Sequence, residues 1–66
     1  MMFKARVRLD VFRRGSFKSE VIETMMDAET YRNCNSSNGK KIVEEAWCNS
    51  MFPGADKIRI SNAVKI

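Results

Sequence analysis

Within residues 3–12, FKARVRLDVF, the first nine alternate strictly: Phe3, Ala5, Val7, Leu9 and Val11 are apolar, and Lys4, Arg6, Arg8 and Asp10 between them are charged. Side chains of an extended chain point to opposite faces with a period of two, so this stretch is a strand with one buried and one wet face. Such a strand needs a sheet covered on one side only. With 66 residues to draw on, the chain is a single domain near the lower limit of what folds unaided, and its apolar positions must converge on one core.

The segments that follow supply the partners. Residues 13–20, RRGSFKSE, break the alternation with a glycine and two serines and predict a turn of loose-hairpin length. Residues 21–31, VIETMMDAETY, fit two patterns. As a strand they place Ile22, Thr24, Met26 and Ala28 on one face and Val21, Glu23, Met25 and Asp27 on the other. As a helix they group Val21, Met25 and Ala28. The strand is preferred, because a lone first strand needs a partner and consecutive strands usually pair.

Residues 32–39 are rich in Asn and Ser and predict a loop leading to a helix capped by Ser37 or Asn38, with a helix starting near Thr30 as the competing reading. Over residues 40–51 helical spacing puts Ile42, Val43, Ala46, Trp47 and Met51 on one face and Lys40, Lys41, Glu44 and Glu45 on the other. Pro53 and Gly54 stop that helix. Residues 56–66 alternate again, with Ile58, Ile60, Asn62, Val64 and Ile66 on one side and Lys57, Arg59, Ser61, Ala63 and Lys65 on the other.

Two antiparallel strands, a helix and a third strand make a two-layer α+β domain of ββαβ order, with one helix packed on one face of a three-stranded sheet. Strand order 2-1-3 makes every neighbouring pair antiparallel and gives a right-handed crossover; order 1-2-3 stays open. The core expected from this arrangement joins Leu9, Val11, Ile58, Ile60, Val43 and Trp47. Trp47 and Phe52 belong to it because large aromatics dominate small cores.

Composition removes several classes of chemistry. The chain has no histidine and two cysteines, Cys34 and Cys48, which yields neither a disulfide framework nor a usual zinc set. Glu44 and Glu45 are adjacent on a helix and point apart, so they are no acid–base pair. With no glycine-rich phosphate loop either, no cofactor and no enzymatic activity are expected. No apolar run is long enough to span a bilayer and charges interrupt the N-terminal segment, so a soluble, cytoplasmic protein with reduced thiols is expected. Twelve Lys and Arg against eight Asp and Glu give a formal charge of +4, which favours contact with nucleic acid or an acidic protein surface.

In order 2-1-3 the uncovered face gathers Lys4, Arg6 and Arg8 with Lys57, Arg59 and Lys65, against Asp10, Glu23 and Asp27. A second cationic patch, Arg13, Arg14 and Lys18 with Phe17 between them, is expected at the first loop. The plain alternative is a solvated surface that keeps the sheet soluble, with Phe17 folded back onto the core. A sheet that binds single-stranded nucleic acid by stacking would also need aromatics on that face, and the middle of it has none.

Ala28 with Thr30, the helix around residues 43–47, the FPGA segment at residues 52–55 and the IRI segment at residues 58–60 form a pattern. It resembles the small ββαβ accessory proteins encoded by phages and plasmids, and it is similar in layout to some small anti-CRISPR proteins. The resemblance implies a non-catalytic protein that binds and sterically blocks a host nucleic-acid-processing complex, either a protein or a ribonucleoprotein. Two other readings stand beside it: a small module making salt-sensitive phosphate contacts with nucleic acid, and a homodimer through edge strands, for which the apolar end of strand 3, AVKI, is the candidate.

Overall fold

The computed structural model describes residues 1–66. Its elements are β1 (Met2–Arg13), β2 (Ser16–Asp27), α1 (Ala28–Cys34), α2 (Gly39–Ser50) and β3 (Lys57–Lys65). The strands form one antiparallel sheet in the order β2-β1-β3, the preferred of the two orders left open by the sequence. Where one helix was expected there are two. No helix is long and apolar enough to cross a membrane.

The β1–β2 hairpin is tight rather than loose. Its register runs unbroken from Met2 opposite Asp27 to Arg13 opposite Ser16, leaving only Arg14 and Gly15 in the turn. Both have positive φ, 51° and 81°, as the mirror-image turns that match strand twist demand. Glycine adopts this freely, whereas an L-residue there costs about 1–2 kcal/mol. That strained arginine is why the turn is hidden in the sequence. The Arg14 backbone N–H donates to Asp56 Oδ2 at 2.9 Å, and the Asp56 N–H donates to the Phe12 carbonyl at 2.8 Å, so the turn is tied to the segment entering β3.

Residues 21–31 divide between their two readings: strand through Asp27, helix from Ala28. Asp27 makes the switch. It is extended and caps α1, its carboxylate accepting the Thr30 N–H at 2.8 Å. Hydrogen bonding from Thr30, through its side chain first and its backbone second, holds the Asp27 carboxyl below its ordinary pKa.

Helix α2 starts one residue earlier than expected. Asn38 occupies its N-cap position without a side-chain bond. The Ser36 hydroxyl instead accepts the Gly39 N–H at 3.4 Å, and the Ser36 carbonyl accepts the Lys40 N–H at 2.9 Å. Gly39 is buried against α1, where an added Cβ would lie 2.7 Å from Asn33 Cα. Only glycine fits this close approach.

That approach also sets how α2 is rotated. Gly39 and Val43 are buried and Trp47 and Cys48 half-buried, whereas Ile42 is 67% exposed and Ala46 lies in solvent. The expected apolar face is therefore turned by part of a helical turn, and Lys40 and Glu44 lie along β3 instead of facing water. Trp47 packs on the core without being enclosed by it.

The core follows β1. Ala5, Val7, Leu9 and Val11 are buried together with Met26, Cys34, Val43, Ile58, Ile60 and Ala63. Phe3 meets Tyr31 edge to face, with centroids 5.4 Å apart. Cys34 has its thiol pushed up in pKa by burial, which leaves it a packing residue.

Leu9 is fully enclosed on the central strand, so Leu9→Ala should cost about 2–5 kcal/mol in a denaturant titration. An unchanged midpoint contradicts this core. A lowered Asp27 pKa means the folded state gains stability above the unfolded carboxyl's pKa and loses it as pH falls through the folded value. Asp27→Asn keeps an N-cap acceptor but removes the charge. Its melting temperature should fall below wild type at neutral pH and converge on it in acid, and a constant gap would contradict the assignment.

Candidate functional site

The alternation of β1 places Met2, Lys4, Arg6, Arg8, Asp10 and Phe12 on the face opposite the core. Directly paired antiparallel residues share a face, so β2 contributes Phe17, Ser19, Val21, Glu23, Met25 and Asp27 to the same side. Strand β3 contributes Lys57 and Arg59 opposite Phe12 and Asp10, and then Asn62 and Val64 opposite Arg8 and Arg6. Between the two stretches the register slips by one residue at Arg8/Leu9, leaving Ser61 as the extra residue of a bulge.

The bulge corrects the expected membership of this face. A one-residue slip exchanges the two sides of a strand. Ala63 therefore enters the core and Val64 is 50% exposed on the open face. Lys65 pairs with Ala5 on the helix side, its Nζ 4.9 Å from the Phe3 ring centroid, so it does not join the cationic row. The first-loop patch is corrected as well. Phe17 and Lys18 are consecutive strand residues on opposite faces, and Phe17 lies beside Phe12 instead of between cations.

What the sheet does assemble is a mixed surface. Arg6 donates to Glu23 across the strands at 3.1 Å, an exposed pair that contributes at most about 1 kcal/mol. Ser19 donates to Asp10 at 2.7 Å, and Arg59 stands opposite Asp10. Within β1 Lys4 and Arg8 have no ion-pair partner, and Lys57 and Arg59 of β3 have none either. Arg6, Arg8, Val21, Asn62 and Val64 line a shallow depression of about 250 Å³. Apolar side chains border the row on both sides, with Val21 and Met25 more than half exposed on β2 and Val64 half exposed on β3.

At the turn end of this face Phe12 and Phe17 lie 5.4 Å apart, with Lys57 Nζ 4.9 Å from the Phe12 centroid. Phe17 is 62% exposed. Phe12 could have been placed by extending the alternation two residues past Asp10. Phe17 could not, because the hairpin had to be sized first.

The two edges of the sheet differ. Along β3, the Asn35 side chain receives the Ala63 N–H at 2.9 Å and donates to the Ala63 carbonyl at 3.1 Å, bonding as a neighbouring strand would. Glu44 accepts the Ile60 N–H at 2.7 Å and Lys40 donates to the Ser61 carbonyl at 3.2 Å. Of the AVKI segment, Ala63 is thus covered by Asn35, while no side chain is bonded to the backbone of Lys65. Beside β3 an open groove of about 360 Å³, bordered by Lys41, Glu44, Glu45, Cys48, Asp56 and Lys57, carries both charge signs. No three His, Cys, Asp or Glu residues gather to hold a metal.

Substituting neighbouring residues tests the bulge. Ala63→Asp should prevent folding because it buries a carboxylate with no partner. Val64→Asp should change stability by no more than about 0.5 kcal/mol. The reverse ranking in a thermal melt would restore the unbulged register. Compared with known proteins, the chain matches no family model, no curated protein and no solved structure.

Proposed function

We propose that the protein is a non-catalytic binding module whose open sheet face docks on a protein surface presenting carboxylates among apolar groups. The observation that carries this reading is the depression at Arg6 and Arg8, where guanidinium groups sit between exposed Val21 and Val64. Apolar contact supplies binding energy there, and the cations select a complementary acidic partner. A narrower role, in which a mobile-element protein sterically blocks a host nucleic-acid-processing complex, is supported by the sequence resemblance alone. Free Cys34 and Cys48 suit a reducing compartment such as a cytoplasm.

A second reading has its own observation. Phe12 and Phe17 with Lys57 place two rings and a cation at one end of the open face, the combination that stacks bases of single-stranded nucleic acid. Under that reading affinity falls steeply with salt, and Phe17→Ala weakens it.

Arg6 is paired with Glu23, so reversing its charge would oppose two carboxylates across the strands and mix stability with binding. Lys4 and Arg8 carry no such pair and make the cleaner test. Lys4→Glu combined with Arg8→Glu should leave the circular-dichroism melt almost unchanged and reduce partner capture from nuclease-treated lysate at least about 100-fold. A folded double variant that captures the same partner equally well would contradict the proposal. Capture lost on nuclease treatment of the wild type would favour the nucleic-acid reading.

A further inference from the structure

The two edges of the sheet, one covered and one open, lead beyond the docking face. Ile66 donates to the Lys4 carbonyl and Asp56 to the Phe12 carbonyl, so the even-numbered residues of β1 bond toward β3. Antiparallel bonding alternates, so the odd-numbered residues of β1 bond toward β2. In β2, therefore, Phe17, Ser19, Val21, Glu23 and Met25 direct their backbone N–H and C=O groups away from the sheet. No side chain is bonded to this edge in the way Asn35, Glu44 and Lys40 serve β3. It is 12 residues long and contains no proline. Folded proteins normally blunt such an edge.

We propose that β2 pairs with β2 of a second copy of this chain, antiparallel about a two-fold axis beside Val21, joining the two sheets into one. The register follows from self-complementarity. With Val21 opposite Val21, Phe17 meets Met25, Ser19 meets Glu23, and the pairs repeat on the other side of the axis. On the open face every apolar residue then faces another apolar residue, and each Glu23 faces the Ser19 hydroxyl. On the helix side Lys18 meets Thr24 and Glu20 meets Ile22, so no like charges are opposed.

Other symmetric registers lose this match. Centring on Glu23 or Glu20 opposes identical carboxylates, which destabilises a strand pair. Centring on Ile22 sets Val21 against Glu23 and Met25 against Ser19, and centring on Ser19 leaves Met25 beyond the partner's strand end. Val21 also lies at the middle of Ser16–Asp27, so this register uses the whole strand. Both open faces point the same way, and the docking surface continues across the axis. The dimer does not depend on what that surface binds.

Sedimentation at increasing concentration should show wild type reaching twice the chain mass, while Val21→Lys, which opposes two ammonium groups at the axis, stays monomeric with an unchanged circular-dichroism spectrum. Cysteines introduced one at a time beside Cys48→Ser, with Cys34 buried, supply an independent register test, because residues opposed in a bonded pair have Cα atoms within disulfide range. Oxidised Val21→Cys should cross-link to itself, and Phe17→Cys and Met25→Cys should cross-link to each other when mixed but not to themselves. A wild type that stays monomeric at millimolar concentration, a Val21→Lys variant that still dimerises, or equal self-cross-linking by Phe17→Cys would each overturn the proposal.

Discussion

β1 is hydrogen-bonded along both sides, and the rest of the molecule depends on the order this imposes. Its odd-numbered side chains are the buried residues Ala5, Val7, Leu9 and Val11, while Lys4, Arg6 and Arg8 face water. The same parity decides which residues of β1 bond to β2 and which to β3, and so which groups of the outer strands are turned to the edges. In a chain of 66 residues, with little apolar area to offset the entropy of folding, one strand thus supplies much of the core and also sets the chemistry of both faces.

The helices complete the sheet in two ways. Val43 and Cys34 bring them into the core. Their polar residues do less ordinary work: Asn35, Lys40 and Glu44 bond the outer backbone of β3 where a fourth strand would otherwise lie. Unpaired backbone groups at an edge are a template for association, and the side chains interrupt that template on β3 from Ile60 to Ala63 while β2 keeps it whole. The Ser61 bulge belongs to the same arrangement, since it turns the Ser61 carbonyl toward Lys40 and moves Ala63, the residue held by Asn35, into the core.

Strong periodicity was the legible part of the sequence. The strand at 3–12, the alternation over 56–60, the helix near 40–51 and the strand order 2-1-3 all rest on repeated spacing or on pairing rules, and they stand in the structure. Features that depend on one residue in an unusual state were not legible. Arg14 at φ 51° hides a two-residue turn, and Ser61 interrupts an alternation that reads as continuous to Ile66. Asp27 converts a strand to a helix within a segment whose propensities fit both. Helix rotation was hidden for another reason: Glu44 and Lys40 look like solvent-facing residues until a strand edge is beside them. Those misses account for Lys65 leaving the candidate face and for Phe17 and Val64 joining it.

The central claim is that one edge of the sheet is held by side chains from Ile60 to Ala63 and the other has no such bonds. Amide hydrogen exchange, measured on protein dilute enough to be monomeric, tests it residue by residue. The Ile60 and Ala63 amides, held by Glu44 and Asn35, should exchange slowly, as core ladder amides do. The Ser19, Val21 and Glu23 amides should exchange fast, although they lie in a regular strand beside β1. Equal protection on the two edges, or fast exchange at Ile60 and Ala63, would contradict the account.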